Sequence, residues 1–116
     1  MRYYDVMIYS APEADRDKVT DYAERLDPLV IEFGALRVIE GWGDDVPHGQ
    51  QTDFYRAVAA PEGEAVLVGI IEWPDKATRD AGFAKMMADP RMQEPMPFDG
   101  KRMIYGGFAP FVDLKA

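Results

Sequence analysis

Four stretches of this chain read as β-strands, and each carries apolar side chains on both of its faces. In 3–9, Tyr4, Val6 and Ile8 alternate with Tyr3, Met7 and Tyr9. In 35–42, Leu36, Val38 and Trp42 alternate with Ala35 and Ile39. In 65–73, Val66, Val68 and Ile70 alternate with Leu67, Ile71 and Trp73. In the last, from Lys101 to about Val112, Met103, Tyr105 and Ala109 alternate with Ile104 and Phe108. Successive side chains of a strand point to opposite faces. A sheet that meets water on one side alternates cleanly between apolar and polar residues. This one does not, so both faces need a cover.

Two helical stretches supply the first cover. After Ser10-Ala11-Pro12, the residues Val19, Tyr22, Ala23, Leu26, Leu29, Val30 and Phe33 recur at helical spacing. Pro28 interrupts that stripe, because it cannot donate to the carbonyl four residues back. Asp27-Pro28 also reads as a new cap followed by proline at a first helical position. A kink or a break is therefore expected there, with the second segment ending at Gly34. The other helix follows Pro74, is capped by Asp75, buries Ala77, Ala81, Ala84, Met87 and Ala88, and stops at Pro90. Between the two lie a polar loop, Gly43 to Thr52, and a short edge strand expected over Asp53 to Ala59.

Strand, helix, strand therefore occurs twice. That order predicts an α+β fold, the ferredoxin-like βαββαβ arrangement, with a four-stranded antiparallel sheet and both helices on one face. The 116 residues suit a single domain, 1–116. The second sheet face would far exceed the few hundred Å² of contiguous apolar surface that a monomer tolerates. A second copy is the simplest cover: a standard interface buries about 800 Å² per partner, and two-fold closure is the commonest symmetry. The expectation is a homodimer packed sheet to sheet.

Composition narrows the function. There is no cysteine, which excludes disulfides, thiolate metal sites and a cysteine nucleophile. The net charge of −8 and the lack of a basic stripe argue against nucleic acid and anionic membranes as partners. No apolar run approaches the 18 residues of a membrane span. The start, MRYYDVMIYS, carries charge inside its apolar part and reads as a strand rather than a signal peptide. A cytoplasmic protein is expected. No motif calls for a cofactor.

Few residues offer chemistry. His48 is the only histidine and sits in a Pro/Gly-rich loop near Asp44 and Asp45. Imidazole titrates near neutrality, but one histidine beside two adjacent aspartates does not build a metal site. Asp99-Gly100 is a turn signal, followed by Lys101 and Arg102, which could balance nearby carboxylates or clamp an anion. Arg56, set between Tyr55 and Ala57-Val58, needs a partner if its head is buried, and Asp99 or Asp80 are candidates. Gly106-Gly107 inside the last strand marks a bulge, a close approach of another backbone such as a partner sheet, or room for a ligand. The tyrosines, tryptophans and Met86, Met87, Met92, Met96 and Met103 fill a core or line an adaptable apolar cleft.

The stretches MADPRM and MPFDGKRMIYGGF, together with GDDVPHG before FYRAV, PEGEAV and TRDAGFAKMMADP, resemble a family of small, functionally uncharacterised bacterial proteins. The resemblance spans nearly the whole chain and is most specific over 96–108. It implies the dimeric α+β barrel, in which two ferredoxin-like sheets face each other. Tyr55 stands where the family tends to have proline, Gln50 where lysine is usual and Thr78 where histidine is usual. The segment before Met96 is shorter than usual.

These readings lead to a small homodimer that binds a small apolar or aromatic molecule between helices and sheet. The expected polar ring is Arg56, Asp99, Lys101, Arg102 and Tyr105. A second reading is a cofactor-independent oxygenase or isomerase for a phenolic or quinoid substrate, with Asp99 or His48 as base. A third is a structural or interaction module without a ligand.

Overall fold

The computed structural model describes residues 1–116. Strands β1 (Tyr3–Pro12), β2 (Arg37–Trp42), β3 (Glu64–Trp73) and β4 (Ile104–Phe108) form one sheet in the order β2-β3-β1-β4. Every neighbouring pair is antiparallel. Helix α1 (Arg16–Glu32) joins β1 to β2, the four-residue helix α2 (Phe54–Ala57) lies between β2 and β3, and α3 (Lys76–Ala88) follows β3. This is the ferredoxin-like α+β architecture that the element order predicts. No helix is long and apolar enough to cross a membrane.

The register sorts the side chains. Tyr3, Asp5, Met7 and Tyr9 pair with Trp73, Ile71, Gly69 and Leu67 on the face that meets the helices. There Val19 of α1 packs with Tyr9, Ala11, Ala65 and Leu67, and Val30 packs with Ala35, Ile71 and Trp73. The fully buried Trp73 donates its Nε1–H to Asp5 Oδ2 at 2.9 Å. Arg79 of α3 grips the same carboxylate with two donors, at 2.9 and 3.1 Å. A buried carboxylate needs such partners, and this one ties β1, β3 and α3 together.

The other face carries Tyr4, Val6, Ile8, Val68, Ile70, Ile39, Ile104 and Phe108. The excursion between β2 and β3 folds over one end of it. Val46 and Phe54 line a depression there with Val66 and Val68, and Val66 and Ser10 are buried. The rest is uncovered: Ile39, Ile104 and Phe108 are exposed, the last at 57%.

Several local expectations change. Helix α1 runs unbroken through Pro28. Proline lies on an exposed flank of that helix, so its ring and the lost bond to the Glu24 carbonyl fall at the surface. Asp27 consequently caps nothing. The helix does end at Gly34, whose φ of +118° suits glycine. The 53–59 stretch is not an edge strand: the Asp53 carboxylate accepts the Arg56 N–H at 2.8 Å and winds it into α2. Strand β4 is shorter than expected. Asp99 accepts the Lys101 N–H at 3.0 Å, which coils Gly100–Arg102 into a 3₁₀ turn.

Helix α3 buries a different stripe from the alanines. Gly82 is its one buried residue, set against the Trp73 ring, while Ala77, Ala81, Ala84 and Met87 are exposed. The indole needs a helix face without side chains, and glycine supplies it. The glycine pair in β4 has a similar explanation at one of its two positions. A Cβ on Gly107 would lie 2.3 Å from the Tyr3 hydroxyl and 2.7 Å from its ring, whereas one on Gly106 would make ordinary contact with Phe108.

A Cβ on Gly82 would sit 2.7 Å from two Trp73 ring carbons and 3.0 Å from the Phe33 carbonyl oxygen. Gly82→Leu is therefore expected to lower stability by about 2–3 kcal/mol through overpacking. Ala84→Leu, two residues on and exposed, should change it by no more than about 0.5 kcal/mol. Urea unfolding of both variants checks the pair. Equal losses would contradict this helix orientation.

Candidate functional site

Helix α1 does not close fully onto β2. Between them opens a cleft of about 690 Å³, lined on one side by Arg16, Val19, Thr20, Ala23, Asp27 and Ile31, and on the other by Val38, Glu40 and Trp42, with Tyr9 and Leu67 at its floor. A second chamber of about 160 Å³ lies deeper, walled by Met7, Met86, Met92, Met96 and Met103 with Phe98. The two share Tyr9, Val19, Ala23, Asp27, Val38 and Glu40. The three polar members of that set, Tyr9, Asp27 and Glu40, thus stand at the throat between an open cleft and a methionine-walled chamber.

Local structure sets each of them. Glu40 alternates with Val38 and Trp42, so the pleat turns it toward α1. It lies opposite Gly69, where a Cβ would fall 2.7 Å from Glu40 Oε1. The missing side chain is the room its carboxylate occupies. Tyr9 donates its hydroxyl to the same Oε1 at 2.9 Å. Its ring stacks at 4.5 Å on Phe98, which Tyr22 meets edge-on at 6.2 Å. Asp27 comes from α1, one residue after the buried Leu26.

The electrostatics follow from this crowding. Burial, followed by the hydrogen bond and the charge of Glu40, pushes the Asp27 carboxyl up from 3.8 to about 8. Near neutral pH Asp27 therefore holds a proton beside Glu40. Burial, and then Glu40, also raises the Tyr9 phenol far above its ordinary range, so it remains a donor. At the outer rim the Arg16 guanidinium lies 5.2 Å over the Trp42 ring. Trp42 Nε1 is buried and finds no acceptor in the chain. Ordered water or a ligand completes such a donor. Where Pro28 lines the cleft, the Glu24 carbonyl has also lost its intrahelical donor.

The loop that closes the inner chamber is fastened to α1. Arg25 grips Glu94 with two donors at 2.6 and 2.7 Å, and Arg91 reaches Glu32 at 2.6 Å. Met92 and Met96 sit in that loop and face the chamber. Met87, by contrast, is 81% exposed.

The residues singled out in the sequence lie elsewhere, in two groups. In one, Arg102 donates to Asp99 at 3.0 Å, Ser10 at 2.9 Å, Glu64 at 3.1 Å and the Ala59 carbonyl at 3.2 Å. Arg102, followed by the Lys101 N–H, holds the Asp99 carboxyl below its ordinary range. Lys101 is exposed, and Tyr105 is 74% exposed on the edge strand. In the other group, Arg56 donates to the Gln50 carbonyl at 3.0 Å and lies 3.7 Å from Asp53, not beside Asp99 or Asp80. His48 stacks on Tyr55 at 4.3 Å and stands 3.8 Å from Asp53. None of these side chains lines the cleft or the chamber behind it. Asp27 and Glu40 escaped the sequence reading. The available signal was a carboxylate on the apolar alternation of β2 and another on the apolar stripe of α1.

Between pH 4 and 8 the folded chain keeps the Asp27 proton that the unfolded chain has lost. Raising the pH through that window therefore costs stability. Asp27→Asn keeps a donor toward Glu40 without titrating. Relative to the parent, it should gain stability steadily from pH 5 to pH 8 in urea melts. An unchanged difference across that range would contradict the shared proton.

Comparison with known proteins completes the site description. The chain is 50% identical over 116 residues to the uncharacterized protein YbaA of Escherichia coli K12, covering 97% of this chain and 99% of that one, and the same holds for YbaA of Shigella flexneri. Among solved structures it is similar to a dimeric ferredoxin-like protein of unknown function from Jannaschia sp. CCS1, with TM-score 0.58 and 16% identity over 95% of this chain and 100% of that one. A dimeric ferredoxin-like protein from an uncultured marine organism gives TM-score 0.59 at 12% identity over 99% and 98% of the two chains. An uncharacterized NIPSNAP domain protein from Burkholderia xenovorans gives 0.55 at 13% identity over the whole of both. These likenesses establish the ferredoxin-like fold. With residues 2–100 matching its model, the chain belongs to the family described as protein of unknown function DUF1428.

Proposed function

We propose that this protein is a homodimer joined through its uncovered sheet face, and that each copy binds a small, largely apolar or aromatic molecule between α1 and the sheet. The observation that carries the binding reading is the polar throat of Tyr9, Asp27 and Glu40 between the open cleft and the methionine-walled chamber. A volume of about 690 Å³ with mainly apolar walls and a few convergent polar groups is what a small-molecule site looks like. The apolar body of the ligand enters the inner chamber, where methionines adapt to its shape. Its one polar group meets the throat. In this reading the polar contacts come from α1 and β2, while Arg102 and Asp99 brace β1 against β3 and Arg56 braces the loop before α2.

The dimer reading rests on the apolar open face, and exposed Phe111 and Leu114 beyond β4 add to the apolar surface. Two of the similar structures are dimeric ferredoxin-like proteins, which supports it.

Ala23 lines both chambers. Ala23→Trp should fill the throat and leave the fold standing. Saturation-transfer NMR with a set of small phenols and bicyclic aromatic ketones is expected to detect binders to the parent protein. Those signals should vanish in Ala23→Trp while its dispersed amide spectrum persists. Equal transfer to both proteins would contradict a ligand site at the throat.

A further inference from the structure

The ligand reading leaves one feature over. An apolar molecule needs a single polar contact to be oriented, yet two carboxyls, Asp27 and Glu40, line the throat and a phenol is held against one of them. Glu40 reaches solvent through the open cleft while Asp27 is half-buried, and a half-buried carboxyl is costly unless it is paired or neutral. Near neutral pH Asp27 holds its proton, so an acid stands with a second carboxyl on the lining shared by the cleft and the chamber. A protonated carboxyl beside a second carboxyl in one site offers an acid and a base.

Resting on the ligand reading above, we propose that the throat is a cofactor-independent proton-transfer site, with Glu40 as base and Asp27 as acid, acting on a neutral ketone bearing an acidic α-hydrogen and an apolar or aromatic body. The reaction class is enolisation, and, where a double bond adjoins, the 1,3-shift of that bond.

The chemistry balances within the pair. The Glu40 carboxylate takes the α-proton. The C–H electrons form the carbon–carbon double bond, and the carbonyl π-pair moves onto oxygen, which takes the Asp27 proton. The enol then returns its hydroxyl proton to Asp27 and accepts a proton at carbon from Glu40. Both carboxyls regain their starting states, and nothing is oxidised or reduced. Tyr9 fixes the base through Oε1, and a carboxylate keeps further lone pairs for the substrate proton.

The lining excludes close alternatives. The chain has no cysteine, and Thr20, the hydroxyl on the α1 wall, donates to the Arg16 carbonyl at 2.8 Å. Burial and Glu40 keep Tyr9 protonated, a donor rather than a nucleophile. Acyl transfer to a side-chain thiol or hydroxyl of these residues is therefore disfavoured. A throat lined by two carboxyls disfavours an anionic substrate and suits a neutral carbonyl compound. The α-carbon would lie at the throat and the ring beyond it, among the methionines.

The probe is 2-tetralone, a bicyclic aromatic ketone with acidic α-hydrogens. Its deuteration in D₂O is followed by proton NMR with the full chain present, and binding is read by saturation transfer in the same samples. The parent protein should accelerate exchange by about 10²-fold or more over buffer, the usual range for a positioned acid or base. Glu40→Gln should return the rate to within about 3-fold of buffer, with saturation transfer retained. Asp27→Asn should fall at least about 10-fold below the parent. His48→Ala should match the parent. Binding without acceleration would overturn proton transfer and leave the ligand reading intact. Absence of both would overturn both. Equal acceleration by Glu40→Gln would overturn the assignment of the base.

Discussion

A four-stranded sheet that is apolar on both faces governs this molecule. Two helices can cover only one face. On that face they do so unevenly: α3 lies tightly on Trp73 through Gly82, whereas α1 leaves a gap beside β2. The other face leaves Ile39, Ile104 and Phe108 exposed and Tyr4, Val6, Ile8 and Ile70 half-buried, while the excursion around α2 folds over one end of it. Packing within the chain and the proposed second copy are thus both argued from one pattern.

The gap is built rather than left over. At its throat a tyrosine is aimed at a carboxylate, the facing Gly69 leaves room for that carboxylate, and a second carboxyl is kept protonated by burial and by the first. The deeper chamber is closed by a loop that the ion pairs Arg25–Glu94 and Arg91–Glu32 hold to α1. These pairs are exposed, and exposed pairs contribute little each. The loop is therefore positioned by several weak ties and by Met92, Met96 and Phe98 beneath it.

The fold was legible because its signals are periodic. Alternation located the four strands to within a few residues, and helical spacing picked out Val19, Leu26 and Val30, which are the buried residues of α1. The α3 stripe misled because alanines at helical spacing suit burial and exposure equally, and a single glycine under an indole has no periodicity. The candidate site was less legible. Charged residues next to turns, such as Asp99, Lys101, Arg102 and Arg56, attract attention but lie in local ion pairs and caps whose partners depend on tertiary contacts. Asp27 read as a cap because proline follows it, and only the sheet register shows that Glu40 faces it. A carboxylate occupying an apolar position in its own periodic pattern was the better pointer.

The claim that the sheet face demands a second copy is tested most directly by sedimentation equilibrium across a concentration series into the low micromolar range. The account predicts a species of twice the 13.1 kDa chain mass, shifted toward monomer when Val6 and Ile70 are both replaced by aspartate. A well-behaved 13.1 kDa monomer throughout the series would contradict it.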